Sequence, residues 1–387
     1  MLIQTIRLDR FLSFGTSTEA TSLRPLNLVI GPNGSGKSNL LEACDLLRNA
    51  PRDLQKPIRE GGGVREWLWK GPTGARVANL DVEISYPGGA HNLRHDLAFT
   101  ETGQQFALVA EIIESSGRQD GAPPPSPYYS YQPGRAEIDL AGETTLLNAE
   151  RLNTGQSILS QFRDPIRYPE ITHLADSYAG IHLYRDWSFG RLSAARRPQD
   201  TAELNQYLAA DGSNLGLIIN RLQSEPVVKA RVLAALRKLY DGIEDYGVKV
   251  EGGTVQVFIQ EGDRIIPAAR LSDGTLRYLC LLAILCHPKP PPLICIEEPE
   301  LGLHPDILPT VADLLKQAAE RCQLIVTTHS DVLVDCMHDE PENVLVAEKD
   351  ENGTRLKRLE ADELKPWLEK YRLGELWMSG DLGGTRW

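Results

Sequence analysis

The chain has 387 residues, of which 41% are hydrophobic and 24% charged, with a net charge of −12 and six cysteines. That length allows two or three structural units, or one large α/β domain with insertions. No apolar run approaches the roughly 18 residues of a membrane helix, and a net negative chain has no global pull toward nucleic acid, so any DNA contact must come from a local basic patch.

Residues 1–8 alternate like a strand and do not read as a signal peptide. Cys44, Cys280, Cys286, Cys295, Cys322 and Cys336 form no C-x-x-C pair and mostly sit in apolar runs. They read as reduced thiols of a cytoplasmic protein, not as disulfides or metal ligands.

In chain order, residues 1–14 read as an edge strand ending in Phe11-Leu12-Ser13-Phe14. Leu26-Asn27-Leu28-Val29-Ile30 reads as a buried strand, and residues 39–47 as a helix stopped near Pro51. Between them stands Gly31-Pro32-Asn33-Gly34-Ser35-Gly36-Lys37-Ser38, the G-x-x-x-x-G-K-S pattern in its strand–loop–helix context. A nucleotide's phosphates carry several negative charges and need many donors. A glycine loop can curl so that successive backbone N–H groups point inward, and the helix starting at Lys37 adds the positive end of its dipole. Lys37 would reach the β- and γ-phosphates and the Ser38 hydroxyl would ligate Mg²⁺.

Residues 48–70 read as irregular and carry Arg48, Arg52, Lys56, Arg59, Arg65 and Lys70. Strand-like runs at 77–86, 93–100 and 106–114, joined by glycine turns, point to an antiparallel sheet. Residues 117–134, rich in Pro, Gly, Ser and Tyr, read as a loop or ribbon excursion. A short helix at 157–161 and a short strand at 181–184 follow. Residues 201–239 read as helical, with one helix at 214–222 and another at 227–240. Neither has sustained heptads, so no coiled-coil arm is expected. Strands at 248–250, 255–260 and 264–267 form a meander.

Leu271-Ser272-Asp273-Gly274-Thr275 then opens a helix running to 286. The apolar strand 293–296 ends in Glu297-Glu298, a helix begins near 305, and the buried strand 324–328 ends in His329. Strands at 344–347 and 354–359, a closing helix at 361–371 and a glycine-rich tail complete the chain. An apolar strand ending in two carboxylates is a Walker B arrangement: one holds Mg²⁺, the next polarises the attacking water. A strand ending in a solvated acidic turn is the plainer alternative.

Here the sequence resembles the SMC/RecF type of ABC ATPases. The phosphate loop at 31–38 matches, as do Leu271-Ser272-Asp273-Gly274-Thr275 as the signature, 293–298 as Walker B, Glu298-Pro299-Glu300-Leu301-Gly302-Leu303-His304-Pro305 as the D-loop stretch and Thr327-Thr328-His329-Ser330 as the switch. The E-P-E-L-G-L-H-P wording is similar to stand-alone bacterial ATPases related to the OLD-family ATPase domain. The resemblance covers both ends of the chain and is poor over about 50–150 and 165–245. It implies an α/β P-loop NTPase head of ABC type: a mixed or parallel core sheet, an antiparallel β-subdomain and a helical insertion. It also implies ATP and Mg²⁺ as ligands, Glu297 as the Walker B acid, Glu298 as general base, and His329 as a contact to the γ-phosphate or the attacking water. Gln161 is the candidate Q-loop glutamine, touching Mg²⁺ and water, against the alternative of a surface glutamine. Ser272 and Gly274 would meet the γ-phosphate held by a second copy, against the alternative of a helix-capping serine with no ligand.

Two departures stand out. Glu297 replaces the usual Asp, and Asp273 and Thr275 replace the usual Gly and Gln or Glu of the signature, placing a negative charge near a phosphate site. The 235-residue separation of Lys37 from Ser272 is too long for a transporter ATPase. The expected organisation is an N-terminal ATPase lobe (1–165), a helical insertion (166–245) and a C-terminal ATPase lobe (246–387). The expected function is ATP hydrolysis by a homodimer closing on two ATP, in DNA repair or anti-phage defence, on DNA or a separate effector. The alternative is a slowly hydrolysing, nucleotide-gated scaffold. Two basic stretches, 48–70 and Arg185, Arg191, Arg196 and Arg197, are either phosphate contacts or solvated loops.

Overall fold

The computed structural model describes residues 1–16, 18–71, 76–117, 126–140, 143–148, 152–185 and 187–384. The chain forms two compact units. One comprises residues 1–182, 342–360 and 380–387; the other, residues 183–341 and 361–379. These cuts run across the three segments expected from sequence, because the chain returns to the first unit after residue 341.

The first unit contains an eight-stranded antiparallel sheet. Its order is Thr21–Ser22, Ile3–Asp9, Val77–Ile84, Leu93–Thr102, Gln105–Ser115, Tyr129–Gln132, Arg135–Leu140 and Glu143–Leu147. Period-two burial explains it: Ala78, Leu80, Val82 and Ile84 all point to one side and are buried. The second layer of strands is different in kind. Leu26–Ile30 is buried at every position and pairs in parallel with Val344–Asp350, which turns back as a hairpin into Gly353–Arg358. A strand covered on both faces is uniformly apolar.

Beneath the antiparallel sheet lies a polar cluster with no solvent contact at its centre. His95 Nε2 and Glu111 Oε1 are 3.2 Å apart, and both side chains are fully buried. Glu111 also accepts from the Ser157 hydroxyl and, through Oε2 at 2.9 Å, from the Ile158 backbone N–H. Tyr178 OH meets His95 Nδ1 at 3.1 Å, and burial holds the Tyr178 hydroxyl far above its ordinary titration range. Glu111 thus ties the middle of the sheet to the turn 157–161.

In the second unit, Gln199–Asp200, Thr254–Glu261 and Asp245–Glu251 form one antiparallel sheet, with Arg264–Pro267 added to Thr254–Glu261. Leu293–Glu297 and Gln323–Thr327 form a parallel pair, in register from Leu293 opposite Gln323 to Glu297 opposite Thr327. The helix Asp273–Leu285 is buried over almost its whole length.

Several expectations are corrected. Part of the supposed loop at 117–134 is the strand Tyr129–Gln132, extended by two further strands; residues 118–125 lie outside those described. Tyr129, Tyr131, Ala136 and Ile138 are buried in alternation, a pattern masked by the surrounding glycine and proline. Residues 201–214 are turns, not helix. The Asn214 side chain stitches them, accepting from Ala209 N at 2.8 Å and donating to Leu204 O at 2.7 Å and Tyr207 O at 2.9 Å, and the helices are Leu215–Gln223 and Pro226–Leu236. The helix Pro169–Ala179 lies within the span 166–245 read as a helical insertion, at a place where the sequence pattern marks no individual helix. The closing helix is two, Ala361–Leu368 and Leu373–Ser379. Among the described residues the longest helices have 13 residues, Lys37–Asn49 and Asp273–Leu285, which leaves no coiled-coil arm. No helix among them is long and apolar enough to cross a membrane.

Replacing Glu111 with Ala strands the His95, Ser157 and Ile158 partners in a dry interior, and each orphaned polar group costs about 1–3 kcal/mol. Glu111→Ala is expected to lose about 3 kcal/mol or more, read as a lowered urea midpoint at unchanged slope.

Candidate functional site

In the first unit, the glycine loop follows Leu26–Ile30 and enters the helix Lys37–Asn49. Gly36 caps that helix at φ 103°, no side chain caps it, and its first turn has no acidic residue. The positive end of the dipole is therefore not neutralised by the helix itself. Gly36 has no room for a side chain: a Cβ there would meet the hydroxyl of Thr354 and come within 2.6 Å of Ser13 Oγ. Those hydroxyls brace the loop. Thr354 Oγ1 lies 2.7 Å from Ser13 Oγ and 2.8 Å from Ser35 O, and Asn39 Nδ2 donates to Ser13 Oγ at 2.7 Å. Lys37, 6% exposed, donates through Nζ to Gly31 O at 2.7 Å and Pro32 O at 3.2 Å. Ser35 Oγ is buried with no hydrogen-bond partner. A buried cation, an unsatisfied hydroxyl and a helix N-terminus around one loop fit an anion of phosphate size. A cleft lined by Pro32, Asn33, Gly34, Ser35, Glu348, Lys349 and Arg355 opens beside it. Thr354 and Arg355 could not be found from sequence, because more than 300 residues separate them from the loop.

In the second unit, the in-register parallel pair delivers the acids and the histidine to one edge. Glu298 follows Glu297 in a left-handed backbone, φ 46°, held by its N–H on Thr327 O at 3.0 Å. A non-glycine residue there is strained. The turn brings Glu298 Oε1 to 3.6 Å from His329 Nε2, with both side chains about one-third exposed. Glu300, noted in the sequence only as part of a motif, fixes the histidine: its Oε1 accepts from Thr328 Oγ1 and from His329 N, both at 2.7 Å. Arg185 Nε donates to Glu297 Oε2 at 2.9 Å.

Ser272 is the N-cap of the helix Asp273–Leu285. Its Oγ accepts from Thr275 N at 3.0 Å and lies 2.8 Å from Thr275 Oγ1. The signature threonine therefore serves its own serine. Gly274 packs so close to the 298–304 loop that a Cβ would sit 2.6 Å from Gly302 O. The charge of Asp273 is met by Arg196, which is 9% exposed and also donates to Phe189 O at 3.0 Å and Leu271 O at 2.5 Å. Arg277 stacks on Trp187 and Phe189, 5.5 Å from each ring centre, and reaches Glu298 O at 3.4 Å; burial lowers its pKa.

Gln161 spends its carboxamide locally. Its Oε1 accepts from Asn153 N at 2.8 Å, and its Nε2 donates to Asn153 O at 3.1 Å and to Gln156 O and Ser157 O at 3.3 Å. A Q-loop role requires that turn to rearrange. The second basic stretch is also revised: Arg185 and Arg196 are held inside the unit, which leaves Arg191 and Arg197 on its surface. In the first stretch, Arg48 pairs with Asp45, Arg59 with Asp53 and Lys70 with Glu66.

A buried strand, a glycine loop and a helix-opening lysine, together with parallel strands ending in paired acids, define a P-loop ATPase fold. Solved structures show the same fold. An Smc head bound to the C-winged helix domain of ScpA matches with a TM-score of 0.57 over 93% of this chain and 99% of that one, at 15% identity. An Smc head with an extended coiled coil, bound to the C-terminal domain of ScpA from Pyrococcus furiosus, matches at 0.54 over 95% and 98%, at 14% identity. None of the curated proteins compared with the chain matches it. The family model described as "AAA domain, putative AbiEii toxin, Type IV TA system" matches residues 26–335. The chain belongs to that AAA family, with the ABC-type ATPase head of SMC proteins as its fold.

Gly274→Ala should force the signature turn away from the Gly302 carbonyl. The expected cost is about 1–3 kcal/mol, the range for overpacking a tight contact, read as a fall in thermal midpoint, with Gly302 as the contact that moves.

Proposed function

We propose that the chain is a Mg²⁺-dependent ATP hydrolase that closes as a homodimer over two ATP molecules. The observation that carries this reading is the placement of Glu298 and His329 at the ends of neighbouring in-register strands, with Glu298 in a strained turn. Gly31, Asn33, Gly34, Ser35 and Gly36 wrap the phosphates with backbone N–H groups, Pro32, which has no N–H, shapes the turn, and Lys37 neutralises the phosphates. Mg²⁺, when bound, supplies further charge neutralisation on the phosphates, and Ser38, Glu297 and, after rearrangement, Gln161 are the groups that would hold it. Glu298 accepts the proton of the attacking water, and His329 orients that water or the γ-phosphate. The exposed Ser272 and the backbone of Gly274 at a helix N-terminus would seal the nucleotide of a second copy.

We read residues 1–165 and 246–387 as the two ATPase lobes, with 166–245 as an insertion between them in sequence and the strands after residue 341 returning to the phosphate loop. Work in DNA repair or anti-phage defence, in the cytoplasm, on DNA or through a separate effector, is the setting proposed for this activity; the SMC-like head fold supports its nucleotide-driven part. The ion pair of Glu297 with Arg185 favours a second reading in which hydrolysis is slow and ATP binding acts as a switch.

Turnover of the wild type against Glu298→Gln tests the hydrolase. Removing a general base costs about 10²-fold or more, so steady-state phosphate release should fall at least that far. A wild type no faster than the variant contradicts hydrolysis and leaves the switch. If DNA is bound, affinity should fall linearly in log–log with salt; no binding at low salt removes the DNA claim.

A further inference from the structure

Glu297 is one methylene longer than the aspartate usual at a Walker B position, and it uses that length to reach an arginine. Arg185 Nε lies 2.9 Å from Glu297 Oε2, and the two side chains are 22% and 20% exposed. This is not a loose surface pair. The backbone of Arg185 is anchored by Trp187 N on Arg185 O at 2.9 Å. Trp187 is in turn packed edge-on against Tyr184 and Phe189 and under the guanidinium of Arg277. Arg277 also reaches the carbonyl of Glu298. One short stretch, 185–196, therefore touches the first acid through Arg185 and the signature turn through Arg196. A carboxylate oxygen that accepts from a fixed guanidinium is a poorer partner for a dication, because both draw on the same charge and the cations repel each other at that distance.

We propose that Arg185 is a positioning residue that holds the Glu297 carboxylate and must yield it before Glu297 can serve a metal-bound nucleotide. This inference rests on the nucleotide-binding reading given above. It makes Arg185 a brake on metal engagement, set by the extra reach of Glu297, and it accounts for a glutamate where the shorter acid would suffice.

The test uses the full chain with the non-hydrolysable ATP analogue AMP-PNP, following the thermal midpoint as Mg²⁺ is titrated. Circular dichroism checks that each variant is folded. Arg185→Ala should lower the Mg²⁺ concentration for half-maximal stabilisation about tenfold. Arg185→Lys, which keeps the charge without the guanidinium fork, should shift it less in the same direction and serves alone if the alanine variant does not fold. In a Glu297→Gln background neither change should move the midpoint, since the carboxylate it acts through is gone. An unchanged or raised Mg²⁺ requirement, or a shift that persists in Glu297→Gln, overturns the proposal. A wild type that AMP-PNP fails to stabilise at any Mg²⁺ concentration overturns the nucleotide reading itself, and the proposal with it.

Discussion

Two parallel strands that stop side by side govern what this chain can do. Because Leu293–Glu297 and Gln323–Thr327 pair in register, whatever follows each of them emerges at the same edge. Glu298 follows one, and Thr328 and His329 follow the other. Ile294, Cys295, Ile296, Leu324, Ile325 and Val326 are buried on both faces, so a slip of one residue would draw Glu297 into the apolar run, and the desolvation cost of that charge fixes the position of the acids. The left-handed turn at Glu298 carries about 1–3 kcal/mol of strain. The Thr327 carbonyl, the Glu300 carboxylate and the Arg277 stack hold it in place.

In the second unit Arg185 and Arg196 act as internal counter-ions, to Glu297 and Asp273. Arg196 removes the difficulty that Asp273 presents in sequence, where a carboxylate sits in a turn meant for an anion. Its guanidinium both satisfies the Leu271 carbonyl and offsets the Asp273 charge. Arg277, deprived of water by two aromatic rings, spends its donors on the Trp187 and Glu298 carbonyls. In the first unit the same economy uses hydroxyls: Ser13 and Thr354 occupy the space that the absent side chain of Gly36 leaves open. Both sets hold a turn rigid through backbone carbonyls, which suits sites that must be ready before a ligand arrives.

Much of this was legible in the sequence because the motifs are local. Eight consecutive residues define the phosphate loop, and two apolar runs ending in Glu297-Glu298 and His329 define the acid edge. The fold class followed from the same stretches. What was missed depends on distance or on masked periodicity. Thr354 meets Ser35 across more than 300 residues, and Glu300 reveals its role only when His329 folds beside it. The strands Tyr129–Gln132 and Arg135–Leu140 alternate correctly but lie among glycine and proline that suggest a loop. Residues 201–214 have helix-forming composition, yet the Asn214 side chain satisfies carbonyls that a helix would have used. Gln161 had the right residue type near a plausible turn, and its carboxamide proved to be the glue of that turn.

The central claim is that a nucleotide gripped by one copy's Lys37 is completed by another copy's Ser272. Mixing two inactive variants tests it most directly. Lys37→Ala lacks the grip and Ser272→Arg lacks the seal, so a mixed dimer contains one site with both intact. The account predicts that ATPase activity, absent from either variant alone, returns when the two are combined in equal amounts. Activity retained by Ser272→Arg alone, or no recovery on mixing two folded variants, would contradict it.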